Sequence, residues 1–341
     1  MKAMVLSGVT DLIINSKPLS EADITTPTPT KNQVLIRISA SGASHIELEE
    51  IEGKNMPSVL PIIPGHQAVG MVEDKGEDVT KLEIGDRVGV SWIFSSCGTC
   101  DFCLRGDENL CDEFKATGLD ADGTYAEFIV IDEDHAYPIP DSLNNNAVIP
   151  LLFAGAIGYR SLRFSSIESG QKLGLSGFGM TAMIILKLLA NKTPGVQVFV
   201  FSRSEAEQEA AKNAGAFWTG AIDADSPEKL DVIIDTTPIW SPVVKALENL
   251  KKGGKLIINE TEKDDQDRDA LLKLTFHKHL SFEKEIKTIT NISRTDVINI
   301  LDMASTMDLQ LEYEEYNLSD ANRAINDLKN GKMNGSKILI V

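Results

Sequence analysis

Cysteine is scarce in this 341-residue chain: there are four, all inside one fifteen-residue run, CGTCDFCLRGDENLC. Their absence elsewhere excludes a disulfide scaffold, and it leaves no thiolate for any second metal site. Positive charge is also in deficit, with 33 Lys and Arg against 51 Asp and Glu and a net charge of −18. A field of that sign repels phosphate backbones and anionic lipid, so neither nucleic acid nor membrane is expected as a general partner. Long hydrophobic runs are missing too, since no window reaches the roughly 18 charge-free apolar residues of a membrane span. The richest stretch, LGLSGFGMTAMIIL, lies between Lys172 and Lys187. The opening MKAMVLSGVTDLIINSK has no apolar core of signal-peptide length, because Asp11 and Lys17 interrupt it. A cytoplasmic location is expected. Low-complexity tracts and internal repeats are absent as well.

What is present starts with the cysteines. Cys97, Cys100, Cys103 and Cys111 have the spacing of a closed tetrahedral site for one structural zinc ion. Disulfides among such near neighbours would be geometrically awkward. An iron–sulfur cluster takes the same four thiolates and stays open at this point.

The length favours two domains, each able to bury its own core. Before residue 150, short strand-like runs (QVLIRISA, GHQAVGMVED, GDRVGVSWIF, TYAEFIVID) are separated by turn residues and predict a small β-rich domain. Beyond it, KLGLSG, QVFVFS, DVIIDT and KLIIN alternate with helical stretches such as MTAMIILKLLANK, EAEQEAAKNAG and VVKALENLKKG. That alternation predicts an α/β domain on a parallel sheet. ILDMAS and ANRAINDLKN read as helices, and KILIV as a last strand that could return to the first domain.

Gly177-Phe178-Gly179-Met180-Thr181-Ala182 follows one strand and opens a helix, the G-x-G-x-x-A form of the dinucleotide fingerprint. Gly177 permits the tight turn, Gly179 lets backbone approach a pyrophosphate, and Ala182 allows close helix–strand packing. The next strand ends in Ser202-Arg203-Ser204 rather than in a carboxylate. A guanidinium and hydroxyls would hold a ribose 2′-phosphate that an acid would repel, so NADP(H) is expected over NAD(H).

Taken in order, KAMVL, GHQAVGMVEDKGEDVTKLEIGDRVGV, the cysteine loop, IPLLFAGAIGYRSL, LGLSGFGMTA, VFVFSRS and LKKGGKLIIN make the chain resemble the medium-chain alcohol dehydrogenases nearly end to end. It is most similar to their cinnamyl-alcohol-dehydrogenase-like bacterial branch. The resemblance implies a GroES-like β-rich domain at 1–150 and 288–341, with the zinc loop at 97–111. It also implies a Rossmann domain at 151–287, a cleft between the two, and two zincs, one structural and one catalytic. The structural ligands carry over intact. The catalytic ones do not: Ser44 stands where the family has its first ligand cysteine, Gln67 replaces the glutamate after His66, and Phe153 replaces the last cysteine. Serine is a poor zinc ligand at neutral pH and phenylalanine is none.

Without a Lewis acid, simple alcohols are difficult substrates, whereas a quinone, enone or activated ketone develops its charge on an already delocalised oxygen. The expected activity is therefore NADPH-dependent hydride transfer to a small, apolar, activated substrate. By analogy of position, Ser44, His45, His66 and Gln67 are candidate catalytic donors, and His45 also stands where relatives meet the cofactor pyrophosphate. Trp92 and Phe153 would line the substrate pocket; core packing is the competing role for both. The acidic ELEE run (47–50) and the run EKDDQDRD are expected to face water. His277 and His279 lack nearby cysteines and are expected in a connection. A homodimer is implied by the resemblance, with LSFEKEI a plausible edge strand. A nucleotide-binding protein without catalysis and a conventional zinc alcohol dehydrogenase are the competing readings.

Overall fold

The computed structural model describes residues 1–143, 146–260, 263–331 and 335–341. The chain divides into two units, Met1–Phe153 with Ile292–Val341, and Ala154–Asn291. The expected breaks at 150/151 and 287/288 lie slightly earlier. Pro150, Leu151 and Leu152 complete a short, buried 3-10 helix, Asn146–Leu152, so the first unit extends through it.

In the first unit, the strand Gln33–Ala43 buries Val34, Ile36 and Ile38 while Arg37 and Ser39 face out. Branched apolar residues at alternate positions suit a pleated, half-buried surface. This long strand organises a seven-stranded sheet. The order is Tyr313–Asn317, Ser336–Ile340, Gln33–Ala43, Ala68–Lys75, Arg87–Val90 and Ala136–Pro138, with Phe128–Asp132 also paired to Gln33–Ala43. Phe128–Asp132 takes its first half, and Ser336–Ile340 takes its second half in antiparallel register. KILIV thus returns to the first unit. The core gathers Val34, Ile36, Ile38, Val72, Val88, Val90, Ile129 and Ile131.

The cysteine loop is anchored to this unit. Glu108, 2% exposed, accepts from Arg294 Nε at 2.8 Å and from its backbone N–H at 3.3 Å. Asp134 lies 3.2 Å from the same guanidinium. A guanidinium shared by two carboxylates fixes the loop to the start of the helix Arg294–Ser305.

The second unit is a six-stranded, wholly parallel sheet ordered Trp218–Gly220, Gln197–Phe201, Lys172–Ser176, Leu230–Asp235, Leu250–Ile258, Glu285–Thr288. Numbered along the chain, that is the 3-2-1-4-5-6 order of the Rossmann fold. Its inner strands Lys172–Ser176, Gln197–Phe201 and Leu230–Asp235 are largely apolar and buried, as expected where helices cover both faces. The helix ends before the Leu250-Lys251-Lys252 of VVKALENLKKG, which opens the strand Leu250–Ile258. Glu285–Thr288 is an edge strand with all four residues exposed.

Part of EKDDQDRD departs from expectation. Glu262 lies outside the described residues. Lys263 is buried against Asp235 and the Thr237 carbonyl. Asp264 accepts from the Gln266 N–H, and Asp267 accepts from the Trp240 and Ser241 N–H groups at the start of the helix Ser241–Asn249. These acids cap orphan helix donors as well as meeting water. His279 is also interior, 2% exposed, with Nε2 at 3.2 Å from Glu248. No single described helix is long and apolar enough to cross a membrane.

Candidate functional site

The glycine loop has the shape a dinucleotide needs. Gly177 sits at φ 86°, and a Cβ there would lie 2.7 Å from Thr236 Oγ1, so only glycine fits. Its N–H donates to the Phe201 carbonyl at 2.8 Å, locking the turn between adjacent strand ends. A Cβ on Gly179 would meet nothing within 4 Å, which leaves open space at the helix start. Gly179 is the N-cap of Met180–Lys192 and brings no side chain to the cap, so the first helical N–H groups stay available for an anion. Ala182 is fully buried, as its small size requires. The loop lies at the carboxyl ends of Lys172–Ser176 and Leu230–Asp235, between which the chain order of the sheet reverses.

At the end of the second strand the three candidates separate. Ser202 is 1% exposed; its hydroxyl donates to the Glu207 carboxylate and accepts from the Ser204 N–H at 3.2 Å. Ser204 caps Glu205–Asn213 by accepting from the Glu207 N–H at 3.3 Å. Arg203 is exposed. The Ser202 hydroxyl is therefore already committed, and Arg203 and Ser204 are the side chains left for a phosphate.

The four cysteine sulfurs lie within 4.8 Å of one another, and Cys97 and Cys103 Sγ are 3.9 Å apart. Zinc–sulfur bonds of about 2.3 Å put tetrahedral sulfurs about 3.8 Å apart, so the cage fits zinc. Backbone N–H groups of Cys100 and Glu113 point at Cys97 and Cys111 sulfurs, at 3.3 and 3.4 Å. The N–H groups of Thr99 and Cys100, together with the Thr99 hydroxyl, bring the Cys97 thiol down to about 6, while burial pushes Cys103 up to about 12.

The remaining candidates meet around Glu47, which sequence reasoning set aside. Ser44 is the N-cap of the helix His45–Ile51. Its hydroxyl and its N–H both donate to Glu47 Oε2 at 2.8 Å, and its oxygen accepts from the Ile46 N–H at 3.1 Å. The other Glu47 oxygen takes the His66 N–H at 3.2 Å and the His66 Nδ1 proton at 2.5 Å. One fully buried carboxylate thus gathers four donors. Burial opposes its charge, but the His66 imidazole and the hydrogen bonds from His66 and Ser44 outweigh it and hold the Glu47 carboxyl below its usual range. The expected solvated ELEE face is overturned for two of its members. Glu47 and Glu50 are buried along with Leu48 and Ile51, whose side chains join a core with Leu12, Tyr125, Ala324 and Ile325. The signal was legible: Ser44-x-x-Glu47 spells a capping box.

Glu50, 1% exposed, has no hydrogen-bond partner for either oxygen, and nor does the buried Tyr125 hydroxyl. Burial first, then Glu47, Glu49 and Asp120, raises the Glu50 carboxyl well above its ordinary range.

His66 Nε2 is buried without a hydrogen-bond partner. Phe153 stands edge-on to the imidazole at 4.8 Å between centroids, and Trp92 does so at 5.3 Å. Trp92 is 4% exposed and Phe153 half-buried. Gln67, 6% exposed, packs where a Cβ on Gly42 would be, and its Oε1 has no partner. His45 is exposed. The structure therefore brings Ser44, His66, Trp92 and Phe153 together through Glu47 and ring contacts, and leaves His45 outside that cluster.

This fold and these sites define an alcohol-dehydrogenase-type oxidoreductase. Residues 30–141 match the alcohol dehydrogenase GroES-like domain family. The chain is 33% identical over 335 residues to a probable alcohol dehydrogenase, AdhA, of Mycobacterium tuberculosis, covering 96% of this chain and 94% of that one. A cinnamyl alcohol dehydrogenase from Helicobacter pylori, complexed with NADP(H), superposes with a TM-score of 0.85 at 23% identity, covering 99% of this chain and 97% of that one. A cobalt- and zinc-bound thermostable alcohol dehydrogenase from Pyrobaculum aerophilum does so with a TM-score of 0.87 at 24% identity, covering 100% and 99%. The chain belongs to the medium-chain zinc-type alcohol dehydrogenase family.

Proposed function

We propose that this chain is an NADPH-dependent reductase of the family, which reduces a small, apolar, activated carbonyl or enone and carries structural zinc but no catalytic zinc. The surroundings of His66 carry the reading. A catalytic zinc needs about three protein ligands and an open position. Here the Ser44 hydroxyl is engaged by Glu47, and the Phe153 phenyl and Trp92 indole rings, neither of them a metal ligand, stand against the imidazole. One imidazole and one neutral amide do not complete the set, so these residues do not fit that metal.

Bound NADPH would supply a hydride to the electrophilic carbon of the substrate. The first-turn N–H groups after Gly179 would hold its pyrophosphate, and Arg203 and Ser204 its 2′-phosphate. Phe153 and Trp92 would give the substrate an apolar wall that admits delocalised carbonyls and excludes water. His45, exposed at the first turn of its helix, is the group able to give the product oxygen or α-carbon its proton. Ser44, Gln67 and His66 would shape the wall, the Ser44 hydroxyl and His66 Nδ1 protons being already given to Glu47. The structural zinc would pin the loop 97–111 and take no part in the reaction.

The open edge Glu285–Thr288, with Ile286 47% and Phe282 44% exposed, supports a second copy of the chain as partner. An unpaired strand edge offers its free N–H and C=O groups to another strand, and on this one only Ile286 is apolar between the charged Glu285 and Lys287.

Turnover of quinones, enones and aldehydes with NADPH, before and after mild chelation, tests the proposal. Reduction of enones or quinones that survives chelation supports it. Oxidation of simple alcohols that chelation abolishes would restore a conventional zinc enzyme. Tight NADPH binding with no turnover of any class would favour a non-catalytic nucleotide-binding protein, which the full burial of His66 also favours.

A further inference from the structure

The residue just after the second strand of a dinucleotide-binding sheet faces the adenosine ribose, and a carboxylate there accepts from its 2′-hydroxyl. Ser202 occupies that position, following Gln197–Phe201. A carboxylate is nevertheless present. Glu207, in the first turn of Glu205–Asn213, reaches back and takes the Ser202 hydroxyl proton. In an ordinary capping box it would accept from the N-cap N–H of Ser204. That N–H is already given to Ser202 Oγ, so the carboxylate is drawn one step further, to the strand end. Glu207 is half-buried and Arg203 exposed, so one negative and one positive group flank the same corner.

We propose that Glu207 is the specificity-determining residue of the cofactor site: it accepts the ribose 2′-hydroxyl of NADH, while Arg203 holds the 2′-phosphate of NADPH, and the chain uses both nucleotides. This rests on the NADPH-linked reading above and limits it, because a fixed anion beside a 2′-phosphate weakens what Arg203 provides. Discrimination in the unaltered chain is then modest, with the two affinities within about tenfold.

Fluorescence titrations of the full chain with NADPH and with NADH test this. Glu207→Gln keeps an acceptor for Ser202 and removes the charge, so it raises the ratio of NADPH to NADH affinity by about tenfold. Arg203→Ala lowers the same ratio. Glu209→Gln, an exposed carboxylate on the same helix, leaves it unchanged and controls for the general acidic field. An unchanged ratio in Glu207→Gln, or an equal shift in Glu209→Gln, overturns this proposal while leaving the NADPH reading intact. Failure of the unaltered chain to bind either nucleotide overturns both.

Discussion

Replacing Glu50 by Gln isolates a buried carboxyl that has no hydrogen-bond partner. Glu50 is 1% exposed, its oxygens have no hydrogen-bond partner, and Glu47, Glu49 and Asp120 all act against its ionisation. An unfolded Glu titrates near ~4.3. Because burial raises the folded value, the folded state holds a proton that the unfolded state has lost. The group's contribution to stability is thus complete below the ordinary value and is lost as pH rises toward the folded one. Gln keeps the volume and the polarity but cannot ionise. The advantage of Glu50→Gln should already be present at about pH 5.5, above the ordinary carboxyl value, and should grow toward about pH 8. Over those about 2.5 pH units, at about 1.4 kcal/mol each, the growth cannot exceed about 3.5 kcal/mol. Urea unfolding at both pH values, read from Trp92 with Trp218 and Trp240 changed to Phe, reports on the unit that holds Glu50. A constant difference between variant and parent, or a loss of stability that grows with pH, would refute the reasoning. Either result would mean that the carboxylate is charged and has a partner.

Glu47 carries the opposite sign. Its carboxyl is held low, so its contribution is present above about pH 4.3 and disappears as pH falls through the folded value. Glu47→Ala removes a cap, worth about 1 kcal/mol, and strands the two fully buried His66 donors at about 1–3 kcal/mol each, for a loss of about 3–7 kcal/mol near pH 7 that shrinks in acid. Urea unfolding across pH checks both size and sign. Gly177→Ala places a methyl 2.7 Å from Thr236 Oγ1 at a strained φ; NADPH titration should show at least about tenfold weaker binding while the circular dichroism stays native. Cys111→Ser should release the structural zinc and open the loop 97–111 to protease, measured by metal analysis and limited digestion.

How much was legible depended on how local each determinant is. The parallel α/β unit was legible in the alternation of strands and helices, and the glycine turn and the four-sulfur cage in contiguous motifs whose geometry is set by their own spacing, whereas the strand order came from the structure. The first unit's closure by Ser336–Ile340 was readable in part, because KILIV reads as a strand on its own, whereas its parallel pairing with Tyr313–Asn317 had no local sign. Harder were groups whose role depends on what lies across a fold. Ser44 looked like a failed ligand and a free donor, yet the S-x-x-E spacing already committed it to Glu47. Ser202 was hidden in the same way by Glu207. Glu50 and Lys263 gave no local sign of burial, since charged residues are rarely placed inside and only the packed structure reveals it.

A zinc count on the purified, nucleotide-loaded protein, with the anomalous signal located in a crystal, tests the absence of a catalytic metal most directly. One ion per chain, seated among Cys97, Cys100, Cys103 and Cys111, is the predicted result. A second ion on His66 Nε2, with Phe153 displaced to admit it, would contradict the account.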